Sequence, residues 1–232
     1  MSQIPLLEVP APALPDGIDL HCCGVEEMAS KIDRPPTLIV ADPPWSYSQA
    51  PGVAHPELQY SCMTDDKIAR VLSEAWHYAA DGSRLAIWCT WPKLGEWQHA
   101  VNSQGGAWKW RYVTGGSWHK LGSGGVGYHW LGASELVLIF KKGSPPADRW
   151  GPLTNAHTSH RQAHSEKPME WMAQWLERWT QPGELVVDLF AGLAPLARAC
   201  LKSCRDYAGA EIDPARHRQA VDRIALYRPD RT

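Results

Sequence analysis

The chain of 232 residues lacks several features that would define its class at once. No uncharged apolar segment approaches the ~18 residues that a membrane-spanning helix needs, so a membrane protein is not expected. Its six cysteines form no Cys-x-x-Cys pair, the usual sign of a zinc or redox site. The N-terminal stretch has no basic region of the kind that opens a signal peptide. These absences favour a cytoplasmic protein with reduced thiols.

The chain also lacks a strong overall charge. Its formal net charge is −2, which gives no global signature of nucleic-acid binding. The charge is unevenly distributed, since residues 105–167 carry eight Lys or Arg against three Asp or Glu. A local basic surface on a mildly acidic body suits a protein that holds a polyanion on one face. A solvated loop with incidental charge is the alternative interpretation.

Phenylalanine is scarce, with two residues against thirteen tryptophans. Trp171, Trp175 and Trp179 recur at helical spacing and are expected in the core. Five others lie in or near predicted loops, where stacking on a ligand is the fairer expectation: Trp45, Trp108, Trp110, Trp118 and Trp130.

Short apolar runs alternate with amphipathic stretches, which predicts an α/β fold with a mainly parallel sheet. The length suits a single domain. The predicted strands are Ile18–Cys22, Thr37–Ala41, Arg84–Cys89, Trp110–Trp118, Glu135–Lys141, Glu184–Phe190 and Tyr207–Ile212. The predicted helices are Asp65–Ala80, Pro92–Ser103, Pro168–Trp179, Ala194–Ser203 and Pro214–Tyr227.

Irregular segments break this alternation. The first 16 residues are rich in proline and predict an extended arm before a domain at 17–232. The segments 46–63 and 120–132 are rich in turn residues, and 143–161 is also irregular. Long irregular loops in a compact domain are usually functional or disordered. We expect substrate-binding loops within 46–63 and 105–165.

The most informative segment is Asp42-Pro43-Pro44-Trp45, directly after the apolar run 38–41. The adenine amine is a poor nucleophile, because its lone pair is delocalised into the ring. A carboxylate and a main-chain carbonyl that each accept one N–H would free that lone pair. Proline fixes φ and donates no N–H, so the loop presents acceptors. The segment therefore predicts attack by an adenine amine held by Asp42 and the Pro43 carbonyl, with Trp45 stacked on the base, a contact worth ~1–3 kcal/mol. An ordinary strand exit is the alternative, because proline and aspartate commonly end strands.

A second group of residues predicts a nucleoside site. Asp188, Phe190 and Gly192 follow an apolar run and lead into a helix. The usual second glycine of a dinucleotide fingerprint is missing, so pyrophosphate binding is not expected. Glu211 ends the next strand, where a carboxylate commonly binds ribose hydroxyls. This pattern favours S-adenosylmethionine as the cofactor, and a plain Rossmann-like core is the alternative.

The segment His164-Ser165-Glu166-Lys167-Pro168 opens a predicted helix. Free N–H groups at a helix start and a lysine offer a site for a carboxylate, such as the methionine tail of that cofactor. A capped helix with a solvated lysine is equally compatible. His157, His160 and His164 lack a correctly spaced fourth ligand, so no metal site is predicted.

Taken together, these motifs resemble the adenine-N6 methyltransferases. The Asp-Pro-Pro-Trp segment, residues 60–68 and 85–90, and the His-Ser-x-Lys-Pro element at 164–168 resemble the catalytic subunit of the eukaryotic mRNA enzyme. The segment 188–213 is similar to bacterial and phage DNA amino-methyltransferases of the permuted beta order, in which the catalytic motif precedes the cofactor motif. The resemblance covers roughly residues 18–226 and implies a seven-stranded, circularly permuted Rossmann-like sheet.

The resemblance also implies site residues. Pro44 belongs to the catalytic segment with its three neighbours, and the implied cofactor contacts are Gly24, Val25, Asp42, His164, Ser165, Lys167, Asp188, Phe190, Gly192, Glu211 and Ile212. The expected substrate contacts are Tyr47, Lys120, His129 and Arg161. Two positions depart from the family pattern: Gly24 stands where an acid is frequent, and Ala194 replaces a motif glycine.

The function implied is transfer of a methyl group to adenine N6 in DNA. An RNA adenine methyltransferase would share every motif, and a catalytically silent nucleic-acid-binding subunit is the alternative of a different class. A cytosine-N4 enzyme is less expected, because those usually carry serine in place of Asp42. The sequence leaves open whether the chain is a monomer or a homodimer.

Overall fold

The computed structural model describes residues 12–46, 62–122, 129–130, 132–148, 151, 153–160 and 166–228. Most of the predicted N-terminal arm lies outside this part, as does most of the loop predicted at 46–63. Within the described residues, none of the helices is long and apolar enough to cross a membrane.

The described residues form one mixed sheet of eight strands. The strands are β1 (Ile18–His21), β2 (Leu38–Ala41), β3 (Arg84–Cys89), β4 (Arg111–Leu121), β5 (Ser134–Lys141), β6 (Ala156–His160), β7 (Leu185–Asp188) and β8 (Asp206–Ala210). Their order in the sheet is β1-β8-β7-β2-β3-β5-β4-β6. β5 is antiparallel to its neighbours β3 and β4, and the other pairs are parallel.

Helices pack on both faces of the sheet. They are α1 (Asp65–Tyr78), α2 (Trp91–Ser103), α3 (Met169–Trp179), α4 (Pro195–Ser203) and α5 (Pro214–Leu226), with a 3-10 helix at Val25–Ser30. One core contains the apolar faces of α3, α4 and α5, and the other contains those of α1, α2 and the 3-10 helix. Alternate residues of each central strand enter opposite cores, as the period of two requires. Ile39 joins the α1 side, for example, and Val40 joins the α3 side.

The five predicted helices are present with shifted ends. Thr64 caps α1 as expected, since its side chain accepts a hydrogen bond from the Lys67 N–H. Pro168 stands at the N-cap of α3, and Ala194 stands at the N-cap of α4. The 3-10 helix was not predicted.

The eighth strand corrects the prediction of seven. β6 lies within the segment 143–161, which the sequence predicts to be irregular, and it pairs with β4 from Ser117↔Ala156 to Leu121↔His160. As the edge strand it has one strand neighbour, and its residues alternate between exposed and half-buried. Its sequence therefore carries no apolar run of the kind that identified the central strands.

Several tryptophans expected to stack on a ligand are core residues instead. Trp110 and Trp118 are 3% and 1% exposed. The indole N–H of Trp110 donates to the Leu72 carbonyl at 2.8 Å, and that of Trp118 donates to Ser159 Oγ at 3.0 Å. Each buried indole thus has its polar atom satisfied. Trp171 and Trp175 are buried as predicted, whereas Trp130 is 87% exposed.

Arg205 joins the end of α3 to the start of β8. Its guanidinium is buried and donates to the carbonyls of Leu176 at 3.1 Å and Thr180 at 2.8 Å, and to Thr180 Oγ1 at 3.0 Å. The Leu176 carbonyl also accepts the Thr180 N–H at 3.1 Å, whereas the Thr180 carbonyl lies beyond the last turn and has no partner within the helix, so a cation there satisfies it.

We predict that Arg205→Met lowers the free energy of unfolding by about 2–3 kcal/mol, because buried carbonyls lose charged hydrogen-bond donors. Chemical denaturation followed by circular dichroism measures this change. Lys202→Met is the matched control on the exposed side of α4 and should change stability by less than ~0.5 kcal/mol. Equal stability of the two variants would contradict a capping role for Arg205.

Candidate active site

The candidate site lies at the carboxyl ends of the adjacent central strands β2 and β7. Val40 is paired with Asp188, and the Leu189 N–H donates to the Val40 carbonyl at 3.0 Å. The helix after β2 packs on one face of the sheet, and the helix after β7 packs on the other. The chain therefore leaves these two strands in opposite directions and opens a crevice between them, which is where open α/β sheets bind ligands.

A cavity of about 780 Å³ occupies this crevice. It is lined by both predicted halves of the site: Val25, Asp42, Pro43, Pro44, Trp45, Lys167, Asp188, Phe190, Gly192, Glu211 and Ile212. Folding thus places the early acidic proline segment beside the late nucleoside segment. The other predicted residues Tyr47, Arg161, His164 and Ser165 lie outside the described part of the chain.

The acidic proline segment forms a tight corner. The Trp45 N–H donates to the Pro43 carbonyl at 2.8 Å, and the Met63 N–H donates to the Pro44 carbonyl at 2.9 Å. Met63 also forms an isolated β-bridge with Trp45, which holds the two chain segments together. A carbonyl oxygen has two lone pairs, so the Pro43 carbonyl keeps acceptor capacity for a further donor.

Trp45 is held more firmly than a free stacking residue would be. Its side chain lines the cavity, yet the residue is only 6% exposed. Its indole N–H donates to the Trp88 carbonyl at 3.2 Å, and its ring meets Trp97 edge to face at 5.6 Å. Most of the ring surface is therefore core, and the stacking role expected from its position in a loop stays a prediction.

Asp42 belongs to a line of four alternating charges. Its Oδ2 lies 2.5 Å from Lys167 Nζ, which lies 3.2 Å from Glu135 Oε2. Glu135 Oε1 in turn lies 2.8 Å from Lys120 Nζ. We call Asp42, Lys167, Glu135 and Lys120 the charge chain. Two acids and two lysines make it neutral overall, which reduces the cost of burying them together.

Burial and pairing set the protonation of the charge chain. Burial raises the pKa of the Asp42 carboxyl above its ordinary value, and Lys167 opposes this only in part. Burial also raises the pKa of Glu135, but Lys167 and Lys120 outweigh it and hold that pKa below its ordinary value. Burial lowers the pKa of Lys167, and the two carboxylates more than reverse this, so the pKa is raised. Lys167 is therefore a permanent cation in the site.

Two members of the charge chain were predicted to contact ligands. The sequence predicts that Lys120 contacts substrate, but its ammonium is almost buried against Glu135 and the residue does not line the cavity. Lys167 is expected to meet a ligand carboxylate, and in this structure its ammonium contacts two carboxylates of the protein. An ammonium has three N–H donors, so one remains for a ligand.

Asp188 lies at the end of β7 with neutral hydrogen-bond donors around it. The Phe190 N–H approaches one carboxylate oxygen at 3.4 Å, and the Tyr207 hydroxyl approaches the other at 3.4 Å. Burial raises the pKa of Asp188 to about 7, and the negative charge of Asp42 contributes to the rise. The carboxyl therefore changes charge near neutral pH, where a cation beside it would favour ionisation.

Glu211 ties together the turns that follow β7 and β8. Its Oε2 accepts the Gly192 N–H at 2.9 Å, and its Oε1 accepts the Asp213 N–H at 2.8 Å. Burial raises the pKa of Glu211, and these backbone donors oppose the rise. The carboxylate is thus fixed in orientation and retains lone pairs toward the cavity.

The departure from the family pattern at Ala194 is accommodated by the backbone. Gly192 has φ of +56° and Ala194 has φ of +51°, so the backbone of both residues is in the left-handed conformation. Glycine adopts this conformation freely, whereas for alanine it costs roughly 1–2 kcal/mol. Ala194 is fully buried at the start of α4, where packing holds it in place. The turn therefore keeps the shape that the missing glycine would give.

Gly24 does not line the cavity, although its neighbours do. Its N–H donates to Glu27 Oε1 at 3.2 Å at the start of the 3-10 helix. Val25 and Glu26 line the cavity, and Glu26 forms an ion pair with Lys67 at 2.8 Å. Glu26 is thus the acid of this segment that lines the cavity.

Sequence reasoning missed Glu135 and Glu166, which both line the cavity. Glu166 is buried between Arg198 of α4 and Arg223 of α5, and these ion pairs anchor the segment that carries Lys167. Glu135 precedes a run of apolar residues on a predicted strand, and an acid at such a buried position is a usable signal. Its pairing with Lys167 depends on tertiary structure.

Among the described basic residues of the segment 105–167, Lys167 lines the cavity and most others lie away from it. Lys109, Arg111, Lys141 and Lys142 lie near the amino end of β3, because Arg84 pairs with Lys141 and Lys141 pairs with Arg111. The cavity is at the carboxyl end of that strand. His129 is exposed and does not line the cavity. The expected basic substrate surface in 105–165 therefore stays a prediction. Across the described ranges, there is no cluster of three His, Cys, Asp or Glu suited to a metal.

Comparison with known proteins adds a family match. Residues 132–222 match the family model for N6 and N4 methyltransferases, described as DNA methylase. The matched segment includes Glu135, Lys167, Asp188 and Glu211, and it excludes Asp42. No curated protein matches the chain closely enough in sequence to count as a relative.

Solved structures share the fold across nearly the whole chain. M1.HpyAVI aligns with a TM-score of 0.67 and 14% identity, covering 90% of this chain and 100% of its own. The putative DNA modification methylase TTHA0409 from Thermus thermophilus, complexed with S-adenosyl-L-methionine, aligns with a TM-score of 0.67 and 19% identity, covering 89% and 93%. The PvuII DNA methyltransferase, which is cytosine-N4-specific, aligns with a TM-score of 0.66 and 12% identity, covering 93% and 90%.

At these identities the structural matches establish the fold alone. The family model matches residues 132–222, which is less than half of the chain, so this segment is similar to the N6 and N4 methyltransferases.

Proposed function

We propose that the protein transfers a methyl group from S-adenosylmethionine to the N6 amine of adenine in DNA. The observation that carries the proposal is that one crevice joins the Asp42 corner to the Asp188 and Glu211 carboxylates. The Asp42 corner supplies acceptors for an amine, and the Asp188 and Glu211 carboxylates supply acceptors for a nucleoside. A cavity of about 780 Å³ is within the range of ligand sites, ~300–1,000 Å³.

The residues of the crevice fit this cofactor. Glu211 is rigidly held and presents acceptors to the two ribose hydroxyls. Phe190 and Ile212 offer apolar surface to the adenine ring, and Ile212 is 69% exposed. Asp188 offers a negative charge to the cationic part of the cofactor, and Lys167 has a third N–H that would bind the cofactor's carboxylate. When bound, the cofactor supplies an activated methyl group on a sulfonium.

Asp42 holds the target amine on the other side of the crevice. Lys167 fixes Oδ2 of Asp42, so the second carboxylate oxygen accepts one N–H of adenine while the Pro43 carbonyl accepts the other. This arrangement draws the amine nitrogen toward tetrahedral geometry and exposes its lone pair. Alignment of two bound reactants can contribute ~7–11 kcal/mol, which suits direct transfer without a covalent enzyme intermediate. In duplex DNA the base must first be extruded, because its amine is otherwise paired.

Adenine is proposed over cytosine because residue 42 is an acid, whereas the cytosine-N4 enzymes usually carry serine there. The PvuII enzyme has the same fold and acts on cytosine, so the fold does not decide between the two bases. DNA is proposed over RNA because the family model is described as DNA methylase and two of the cited structural neighbours are described as a putative DNA modification methylase and a DNA methyltransferase. A silent nucleic-acid-binding subunit would not require the intact Asp-Pro-Pro-Trp segment.

The direct test is transfer of a labelled methyl group to DNA and RNA of matched sequence, followed by nucleoside mass spectrometry. We expect N6-methyladenine in DNA and at least ~10-fold less product in RNA, since discrimination of ~1.4 kcal/mol gives that ratio. Formation of N4-methylcytosine would overturn the assignment of adenine as the target base. A preference for RNA would overturn the assignment of DNA as the substrate. No product with any substrate would support the silent subunit.

Asp42→Asn tests the role of the carboxylate at the amine. Removal of one preorganised polar contact to a reacting group commonly lowers kcat by ~10²–10³-fold, and we expect a loss of that order. Calorimetry should find cofactor binding within about 3-fold of the unaltered protein, because Asp188 and Glu211 are intact. Asp222→Asn, on the exposed side of α5, is the control and should retain full activity. Unreduced turnover by Asp42→Asn would remove this residue from the mechanism.

Cofactor affinity should rise as pH increases through about 7. Below that pH Asp188 is protonated because burial raises its pKa to about 7, and only its charged form attracts a cation. Calorimetry between about pH 6 and pH 8 should therefore find tighter binding at the higher pH, with release of a proton from Asp188, by up to ~10-fold per pH unit. Asp188→Asn should abolish this pH dependence. A slope that persists in this variant would assign it to another group.

A further inference from the structure

We propose that Glu135 is a positioning residue for methyl transfer, acting on Asp42 through Lys167 and backed by Lys120. This inference rests on the proposed function and adds a role to a residue that the sequence did not single out. Its basis is the charge chain, in which each oxygen of Glu135 holds a different lysine.

The two inner members of the charge chain, Glu135 and Lys167, differ in rigidity. Glu135 is on β5, where it pairs with Trp118 of the neighbouring strand, and its side chain is 16% exposed. Lys167 lies before α3 and carries its ammonium on a flexible four-carbon stem. Because Glu135 is fixed by the sheet, it restrains the position of the Lys167 ammonium. Lys120, also on the sheet, restrains Glu135 from the far side.

This restraint decides which oxygen of Asp42 is available. With Glu135 in place, Lys167 approaches Oδ2 of Asp42 and divides its donors between two acids. Without Glu135, the ammonium loses one partner and is free to move over the Asp42 carboxylate. It would then compete with the target amine for the second oxygen. The expected consequence is poor alignment of the amine, and small misplacements of this kind can cost ~10²-fold in rate.

Glu135 also affects the charge of Asp42. Burial raises the pKa of Asp42, Lys167 and Lys120 lower it, and the negative charge of Glu135 raises it. Asp188, across the crevice, is a further acid whose charge interacts with Asp42. Removing the charge of Glu135 should therefore lower the pKa of Asp42. The acid limb of the pH–rate profile should move to lower pH even though the maximal rate falls.

The test compares Glu135→Gln with the unaltered protein in methyl transfer to adenine-containing DNA. We expect kcat to fall ~10–100-fold and the acid limb to move to lower pH. Cofactor affinity by calorimetry should change less than ~3-fold, since the carboxylates that hold the nucleoside are untouched. Glu177→Gln, on the exposed side of α3, is the matched control and should behave as the unaltered protein.

Lys120→Met provides an independent variant in case Glu135→Gln does not fold. Lys120 does not line the cavity and its ammonium is paired with Glu135, so its effect on the alignment of the amine passes through Glu135. We expect a smaller fall in kcat, ~3–10-fold, again with cofactor affinity preserved. In the double variant the two effects should not add, because both act through one path.

Three outcomes overturn the inference, and they differ from one another. If folded Glu135→Gln, or Lys120→Met in its place, keeps the original kcat and pH profile, Glu135 does not position the site. A loss confined to cofactor affinity would assign Glu135 to cofactor binding. If the unaltered protein methylates neither DNA nor RNA while its variants fold normally, the proposed function itself fails and the inference fails with it.

Discussion

The ion pair between Asp42 and Lys167 is the contact on which the site depends. It joins residues 125 positions apart in the chain, one at the end of β2 and the other before α3. Both border the apolar core, where an unpaired charge would be costly. Each residue therefore requires the other, and together they hold the acidic proline corner against the segment that leads into α3. Glu135 and Lys120, which lie on strands of the sheet, add one negative and one positive charge to this pair, so the group stays neutral.

The topology of the sheet explains why these charges meet. β2 and β7 are adjacent and parallel, but the helices that follow them pack on opposite faces. The crevice between them can therefore be lined by residues that are far apart in sequence, and every parallel strand near it delivers its last residue to the same edge. β5 is antiparallel, so it contributes the start of the strand, where Glu135 lies. An acid at the beginning of an antiparallel strand thus reaches the same cavity as acids that end parallel strands.

Much of the fold could be predicted from sequence, because buried parallel strands and capped helices leave local patterns. The lining of the cavity by Asp42, Asp188 and Glu211 was also predictable, since strand ends of one sheet share an edge. The edge strand β6 was not, because it buries too little to require an apolar run. The position of the basic residues in the fold could not be predicted from sequence either. Charge counted along the chain takes no account of the reversal at β5, which carries Lys141 to the end of the sheet opposite the cavity.

The acids of the crevice differ in what holds them, and this difference separates their roles. Asp42 is already paired with a lysine, so its charge is balanced by the protein and its free oxygen suits a neutral amine. Asp188 is held by an N–H and a hydroxyl, which satisfy its oxygens without balancing its charge, and burial raises its pKa to about 7. Its ionised form is therefore stabilised only when a cation lies beside it. A lysine beside Asp188 would repel the sulfonium of the cofactor. With only neutral donors around it, Asp42 would hold the target amine less firmly. The observed placement of Lys167 beside Asp42, with neutral donors beside Asp188, favours a cationic methyl donor at Asp188 and a neutral amine at Asp42.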